Sequence, residues 1–423
     1  MSAALAFHPR DPLWAADPYP RYARLRQDDP VHRSAFGMWV LSRDADVRAA
    51  LKDPRFSSRP SRFSAHARPQ LAALPASRMV RDMVMFQDPP AHTRLRRLLA
   101  RVIHERLGDD LKLRIARCVD ELLAPHLPRG EIDLLHDLAM PLPVHVIADL
   151  LGIPPQDRSR VKTWAESLFK VFSPLTDESG YRTLNDAVQA FRDYLAQLVQ
   201  WRRAHPQSDV ISLLVDLHDD EGALSDDELI TSCMLLFANG EETFAHALCN
   251  GVWAMLQQPA QWQRLVETPA LRRAAYEESL RFDGPAQVVG RTLLEAVELH
   301  GRVMPQGVPV YLLLGSANRD PARWADPDRF EPERFASPVG ADGGHVALGH
   351  GRHACLGAGI ARAEAQVALD RVLDLLVALE VVSDVGPDLV SGQPGAGLAW
   401  RPDLFLRGLQ RLPLRFRPAA CRA

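Results

Sequence analysis

His345-Val-Ala-Leu-Gly-His-Gly-Arg-His-Ala-Cys-Leu-Gly-Ala-Gly-Ile-Ala-Arg362 is the most informative stretch of the 423-residue chain. Gly349, Gly351, Gly357 and Gly359 flank a single cysteine, Cys355, and a helix-forming run begins just after it. Glycine lets a backbone turn tightly and lets a flat ligand come close. A cysteine just before a helix N-terminus sits where amide N–H groups and the helix dipole favour its thiolate. Such a thiolate can serve as a nucleophile, a zinc ligand or an axial ligand to haem iron. The plain alternative is a buried structural cysteine in a glycine-rich turn. A zinc site would draw on His350, His353 and Cys355, but no second ligand pair stands at ordinary zinc spacing.

The composition around this stretch is that of a globular protein: 47% hydrophobic and 24% charged residues, with a formal net charge of −3. A charge so near zero argues against nucleic acid binding over the whole surface. Only Lys52, Lys112, Lys162 and Lys170 are lysine, so nearly all positive charge is arginine. The cysteines (Cys118, Cys233, Cys249, Cys355 and Cys421) form no C-x-x-C pair, which points to a reducing compartment rather than a disulfide framework. The first twenty residues are too broken by proline and charge for a signal peptide. No run of ~20 apolar residues is present to span a bilayer, so a soluble, cytoplasmic protein with no membrane partner is expected.

Length alone would allow two or three domains at ~150 residues each. No flexible linker divides the chain, and the expectation is one domain, residues 1–423. Met38–Leu41 reads as a strand, Asp44 as the cap of a short helix through Ala50, and residues 57–82 as a long surface loop. From Pro90 to about Arg281 apolar residues recur at helical spacing, as in Leu111, Ile115, Val119 and Leu122. Val288–Leu294, Val297–His300 and Val308–Leu314 read as short strands. Helical periodicity returns over Ile360–Leu379, then come turns at Gly392–Gly397 and a strand at Leu412–Phe416. The fold class is therefore mainly α with a small β region.

The opening stretch resembles the haem-binding loop of the cytochrome P450 family, F-x-x-G-x-x-x-C-x-G with a basic residue two places before the cysteine. Gly349, Gly351, His353, Cys355, Gly357, Ala361 and Arg362 match, and Leu348 stands where phenylalanine is usual. The resemblance implies the cytochrome P450 fold, one large helical domain enclosing haem b, with Cys355 as the axial iron ligand. A thiolate ligand pushes electron density onto iron and favours O–O cleavage over O2 storage. Neighbouring amide N–H groups would tune the sulfur.

Three further segments carry the same resemblance. Glu278-Ser-Leu-Arg281 places a carboxylate and a guanidinium on one helix face, where by itself it would read as a solvated ion pair. It resembles the family's E-x-x-R motif, a buried structural pair joined by an arginine from P-x-R-F, here Arg334 of Pro332-Glu-Arg-Phe335. Leu235-Leu-Phe-Ala-Asn-Gly-Glu-Glu-Thr-Phe244 interrupts an apolar helix with glycine, two acids and a hydroxyl. Thr243 can bond back to the Asn239 carbonyl and distort the turn. The segment resembles the oxygen-activating A-G-x-[DE]-T helix, with Asn239 and Phe244 departing from the usual residues. The resemblance implies Glu242 and Thr243 as the catalytic proton-delivering pair. His92-Thr-Arg-Leu-Arg96 reads alone as a solvated basic helix start. It resembles the family's H-T-x-x-R clamp, which implies that His92 and Arg96 hold the haem propionates together with Arg291 and His353.

The resemblance runs through nearly the whole chain. It implies a monooxygenase that inserts one oxygen atom from O2 into a C–H or C=C bond of a small hydrophobic substrate, of secondary-metabolite type, free or carrier-protein-bound. Electrons would come from NAD(P)H through a ferredoxin reductase and a ferredoxin. Some of Arg94, Arg97, Arg101 and Arg106 are expected to present a docking patch to that acidic partner. A peroxide-driven peroxygenase and a non-catalytic haem or metal sensor are the competing readings. Met83–Phe86, Trp164–Pro174, Leu236–Glu241, Val288–Val289 and Gly395–Leu398 are the segments expected around the substrate.

Overall fold

The computed structural model describes residues 7–8, 11–34, 37–59, 74–170, 178–219, 224–337, 344–382, 398–402 and 404–418. Helices dominate, and eight of them build or position the site: α1 (Pro75–Asp82), α2 (Ala91–Glu105), α3 (Arg158–Lys170), α4 (Glu178–Ala204), α5 (Asp226–Ala238), α6 (Glu241–Leu256), α7 (Arg272–Asp283) and α8 (Ala358–Leu375). The apolar faces of α1, α2 and α4 to α8 meet in the largest hydrophobic core, where Leu99, Phe191, Phe237, Val252 and Val372 are fully or nearly fully buried. Burial of this kind contributes about 1.5–3 kcal/mol per large side chain.

The successive helices α5 and α6 run through that core and are apolar nearly all round, as a core helix must be. Leu229, Ile230, Met234, Phe237, Phe244, Leu248 and Val252 are all buried. Ser225 starts α5 with a capping box: its hydroxyl accepts the Glu228 amide at 3.2 Å, and the Glu228 carboxylate accepts the Ser225 amide at 2.9 Å.

The β region lies beside the helices. Strands β1 (Val31–Arg33), β2 (Trp39–Leu41), β3 (Phe56–Ser57), β5 (Val288–Leu293) and β8 (Pro309–Leu313) form one sheet in the order β1-β2-β8-β5-β3. β2 runs parallel to β8 with Trp39 opposite Val310, and β5 runs antiparallel to β8 with Arg291 opposite Val310. A second sheet joins β4 (Glu131–Asp133), β10 (Pro413–Pro418) and β9 (Leu376–Val381), with β10 in the middle. β6 (Val297–Leu299) and β7 (Arg302–Met304) make a hairpin. Its two turn residues, His300 and Gly301, both take positive φ, 51° and 73°, the mirror-image turn that suits strand twist.

Three local expectations are corrected. Asp44 is not a cap: Arg43 holds that position, and the Asp44 carboxylate accepts Arg48 Nε at 2.8 and 2.9 Å. Of the loop expected over 57–82, residues 60–73 lie outside the described residues, and 75–82 is helix α1. It starts with Pro75 in its first turn and buries Ala76, Met79 and Val80, a face too short to show a clear period. α8 ends at Leu375 rather than Leu379, because Leu376–Val381 pairs with β10. An apolar run of that length fits helix and strand alike, and pairing across the chain decides it. The expected turns at 392–397 lie outside the described residues. Among the described residues one helical stretch, Leu134–Leu151, is apolar enough by length and composition to cross a membrane, and 56% of it is buried inside the protein.

Candidate active site

The glycine-rich loop connects the buried Val346 to α8. It enters through the Val346 amide, which donates to Asn318 Oδ1 at 2.7 Å. The Gly349 amide then donates to the Val346 carbonyl at 2.8 Å, and the Cys355 amide to the Leu348 carbonyl at 2.7 Å. Gly349 and Gly351 take φ of 73° and 71°, conformations that side chains resist. At Gly351 a Cβ would also stand 2.9 Å from the Leu51 carbonyl oxygen. The loop therefore folds back on itself and presents Cys355 just ahead of Gly357, the N-cap of α8.

Cys355 is exposed to open space. Enough protein nevertheless surrounds it that burial raises its thiol above the ordinary value, against the lowering effects of the Gly357 amide, Arg96 and Arg362. Cys355 is thus reachable from outside while protein atoms crowd around it. Arg291 behaves in the same way: it is half-exposed, yet burial lowers it to about 10.

Arginines and histidines gather near that cysteine. His92 is 2% exposed, and its ring lies 4.0 Å from the His353 ring, centroid to centroid. Arg96, one turn after His92 on α2, donates to the Ala354 carbonyl at 2.5 Å. Burial lowers His92, and Arg96 and Arg352 add to the effect. His353 is lowered to about 3, by burial first and then by His92, Arg291, Arg96 and Arg352. His92 Nδ1 and His353 Nε2 are buried without a hydrogen-bond partner. Asp88, the acid whose charge opposes the lowering at His92 and Arg291, is engaged by Ser57 Oγ at 2.5 Å and the Ser58 amide at 3.1 Å. Uncompensated cations and orphaned imidazole nitrogens are what an anionic ligand would satisfy. A thiol for iron and a cationic rim for two carboxylates fit haem b.

Behind the loop, Glu278 and Arg281 of α7 meet through two hydrogen bonds of 2.7 Å, both side chains wholly buried. Arg281 also donates to the carbonyls of Asn318, Pro327 and Arg329. Arg334 Nε lies 3.5 Å from the Glu278 carboxylate. Sequence reasoning missed Glu277, whose carboxylate accepts Arg362 at 2.6 and 2.9 Å and lies 3.2 Å from His345 Nε2. Burial alone would raise this carboxyl, but Arg362 and His345 bring it down to about 2. The only signal was the doubled acid at 277 and 278.

The break between α5 and α6 falls at Asn239–Gly240. Thr243 Oγ1 donates to the Asn239 carbonyl at 3.1 Å, so its lone pairs are left facing outward. The Asn239 carboxamide donates to Met85 Sδ at 3.6 Å. The two acids of the break part company. Glu241 is buried and lies 3.1 Å from Lys162 Nζ of α3. Glu242 lies 3.6 Å from Arg401 Nη2. Neither Lys162 nor Arg401 stood out in the sequence.

Two of the four arginines have partners on neighbouring elements. Arg94 pairs with Glu228, and Arg106 donates to Ser208 Oγ at 3.0 Å. Arg97 and Arg101 are exposed. Of the segments expected around the substrate, Met83 and Val84 are buried in the main core, Met85, Phe86, Leu236 and Leu398 are half-buried at its edge, and Val289 is half-buried against the separate cluster under the first sheet. Trp164 packs against Phe191 and Tyr194 of α4, and residues 171–174 and 395–397 lie outside the described residues.

Residues 157–404 match the Cytochrome P450 family. Vitamin D(3) 25-hydroxylase of Pseudonocardia autotrophica is 38% identical over 95% of this chain and 94% of its own. The cytochrome P450 monooxygenase PikC of Streptomyces venezuelae is 35% identical over 96% of this chain and 92% of its own. Among solved structures, P450BioI in complex with a hexadec-9Z-enoic acid ligated acyl carrier protein superimposes with a TM-score of 0.83, at 32% identity, covering 96% of this chain and 99% of that one. A helical core, a cysteine offered on a glycine loop and likeness over almost the full length lead to one conclusion: the chain belongs to the cytochrome P450 family and is a monooxygenase.

Proposed function

We propose that Cys355 ligates the iron of a haem b whose propionates are held by His92, Arg96, Arg291 and His353, in one domain spanning the chain. The observation that carries the proposal is an accessible cysteine beside two arginines and two histidines, with His92 Nδ1 and His353 Nε2 buried and without a hydrogen-bond partner among the described residues. The haem, when bound, supplies reductive activation of dioxygen. The protein's own residues do the rest. The Gly357 amide tempers the sulfur, His92, Arg96, Arg291 and His353 would hold the propionates, and the buried Glu278–Arg281–Arg334 network keeps the loop's support rigid. Glu242 carries protons inward and Thr243 holds them beside the reacting oxygen. The acid next to the hydroxyl favours dioxygen over peroxide as the oxidant.

The substrate proposed is a small hydrophobic molecule, of secondary-metabolite type, oxidised at a C–H or C=C bond. Half-buried Met85, Phe86, Leu236 and Leu398 support an apolar binding space. Presentation on a carrier protein draws support from the P450BioI complex. Electrons are proposed to arrive from NAD(P)H through a ferredoxin reductase and a ferredoxin in the cytoplasm, with Arg97 and Arg101 facing the ferredoxin.

The test is the carbonyl adduct of the reduced protein. The wild type should show the red-shifted band of thiolate ligation, and Cys355→Ser should lose it. A wild-type adduct that absorbs like a histidine-ligated globin overturns the proposal.

A further inference from the structure

The chain near its C-terminus, over 398–402 and 404–410, doubles back on itself. Trp400 pairs with Leu409 across an antiparallel bridge. The Arg401 amide donates to the Gly408 carbonyl at 2.9 Å, and the Gln410 amide to the Ala399 carbonyl at 2.8 Å. This hairpin is fastened to α6. Asn250 Nδ2 donates to the carbonyls of Arg407 at 3.2 Å and Asp283 at 3.0 Å. Arg407 Nε donates to Asp283 at 2.7 Å, and its guanidinium lies 3.6 Å over the Trp400 ring. Gly408 lies so close to His246 that a Cβ there would stand 2.1 Å from Nδ1.

The hairpin thereby delivers one guanidinium to a fixed place. Arg401 Nη1 lies 3.4 Å from His246 Nε2, and Nη2 lies 3.6 Å from Glu242 Oε2. Glu242 and His246 are four residues apart on α6, so they share a face. Arginine can only donate, so His246 Nε2 must carry the lone pair and Nδ1 the proton. His246 is 1% exposed, and burial, with Arg401 and His136 adding to it, lowers the ring to about 4. It is thus a neutral, immobile acceptor that aims Arg401. The link from Arg401 to Glu242 is of another kind, long and part-exposed, and pairs of that sort are weak. Glu241, by contrast, is buried against Lys162. Of the two acids at the helix break, only Glu242 sits on a loose tether.

We infer that Arg401, aimed by His246, is a positioning residue for Glu242: it parks the carboxylate on the hairpin side of α6 and releases it toward Thr243. This rests on the proposed role of Glu242 as proton carrier. The parking point is supplied by the C-terminal hairpin and not by the helix that carries the acid.

The test uses the haem-loaded protein with Arg401→Gln, Arg401→Lys and His246→Gln, each alone, and Arg401→Gln combined with Glu242→Gln. The first readout is the 15N signal of His246 in the diamagnetic reduced carbonyl form. Arg401→Gln should move it and bring its titration closer to that of an ordinary histidine. The second is product formed per NAD(P)H consumed, with its solvent isotope effect, measured beside substrate affinity. Arg401→Gln should change yield and isotope effect by about threefold or more, leave affinity within about twofold, and be partly rescued by lysine. In the Glu242→Gln background it should add nothing. His246→Gln should shift the yield in the same direction. An unmoved His246 signal, an unchanged yield, or an equal effect without Glu242 overturns the inference and leaves the proposed function standing. A wild type with no thiolate-type carbonyl band overturns both.

Discussion

Glu277 and Glu278 are consecutive on α7, yet their carboxylates hold two different parts of the molecule. Glu278 takes Arg281 at 2.7 Å and the Glu331 amide at 2.7 Å, which fixes the irregular chain leading to the cysteine loop. Glu277 takes Arg362 at 2.6 Å and lies 3.2 Å from His345, the two ends of that loop's sequence. One helix turn thus grips the loop at entry and exit and braces the chain before it.

Removing one partner of the inner pair leaves the other charged and buried. Arg281→Ala is expected to cost about 3–5 kcal/mol, read as a lower denaturant midpoint and as poor haem retention. Arg281→Lys should rescue little, because a point charge cannot reproduce a two-bond fork that also reaches three carbonyls. A midpoint within error of the wild type would show that the pair is not what stiffens this region.

The outer pair carries a pH signature. Glu277 lies at about 2 in the folded protein and near ~4.3 in an unfolded chain. A depressed carboxyl contributes stability that is full above the unfolded value and disappears as pH falls through the folded one. Glu277→Gln should therefore cost on the order of 2–3 kcal/mol at pH 6 and distinctly less at pH 3, by chemical unfolding of both proteins. Equal losses at the two pH values would contradict the assignment.

Glu364 on α8 should show the opposite slope. It is 4% exposed, and burial pushes it up to about 8. Its folded value lies above the unfolded one, so the folded state binds the extra proton and stability falls as pH rises between ~4.3 and about 8. Glu364→Gln should gain on the wild type by up to about 1.4 kcal/mol per pH unit across that window. Parallel stability curves from pH 5 to pH 8 would rule this out.

Much of this fold was legible because its informative residues are local in sequence. The loop from His345 to Arg362 carries its own glycines, cysteine and following helix, and Gly349 and Gly351 sit where positive φ is required. Thr243 bonding back to Asn239 follows from helix spacing alone. What escaped was non-local. Helix α1 has a face of only a few residues, and Leu376–Val381 becomes a strand through pairing with β10. Arg401 lies 159 positions after Glu242 by their numbers, and Glu277 meets Arg362 only because α7 passes under the loop. Side-chain meetings of that kind depend on tertiary packing, which no spacing rule contains.

The exposed arginines of α2 give a surface prediction. Arg97 and Arg101 are exposed, on the same helix as Arg96, which bonds the loop at Ala354. Arg97→Glu and Arg101→Glu should each lower ferredoxin-supported turnover at low salt by about fivefold or more, with the loss shrinking as salt rises. Arg94→Glu should lower stability as well, since Arg94 pairs with Glu228. Turnover unchanged at low salt in both exposed variants would place the electron donor elsewhere.

The helix break makes the sharpest demand on chemistry. Thr243 spends its one hydroxyl proton on the Asn239 carbonyl at 3.1 Å, so in the proposed role its oxygen would face the reacting centre as an acceptor and would have to trade protons with a neighbour to deliver one. Thr243→Ala removes the acceptor and frees the Asn239 carbonyl, but touches neither Cys355 nor the cationic rim. The variant should keep the thiolate-type carbonyl band and bind substrate as the wild type does. Product per NAD(P)H should fall by about tenfold while hydrogen peroxide rises to account for the electrons. Thr243→Ser should recover most of the coupling, because it restores the hydroxyl without the methyl. If Thr243→Ala couples electrons to product as the wild type does, proton delivery runs by a route that bypasses this residue.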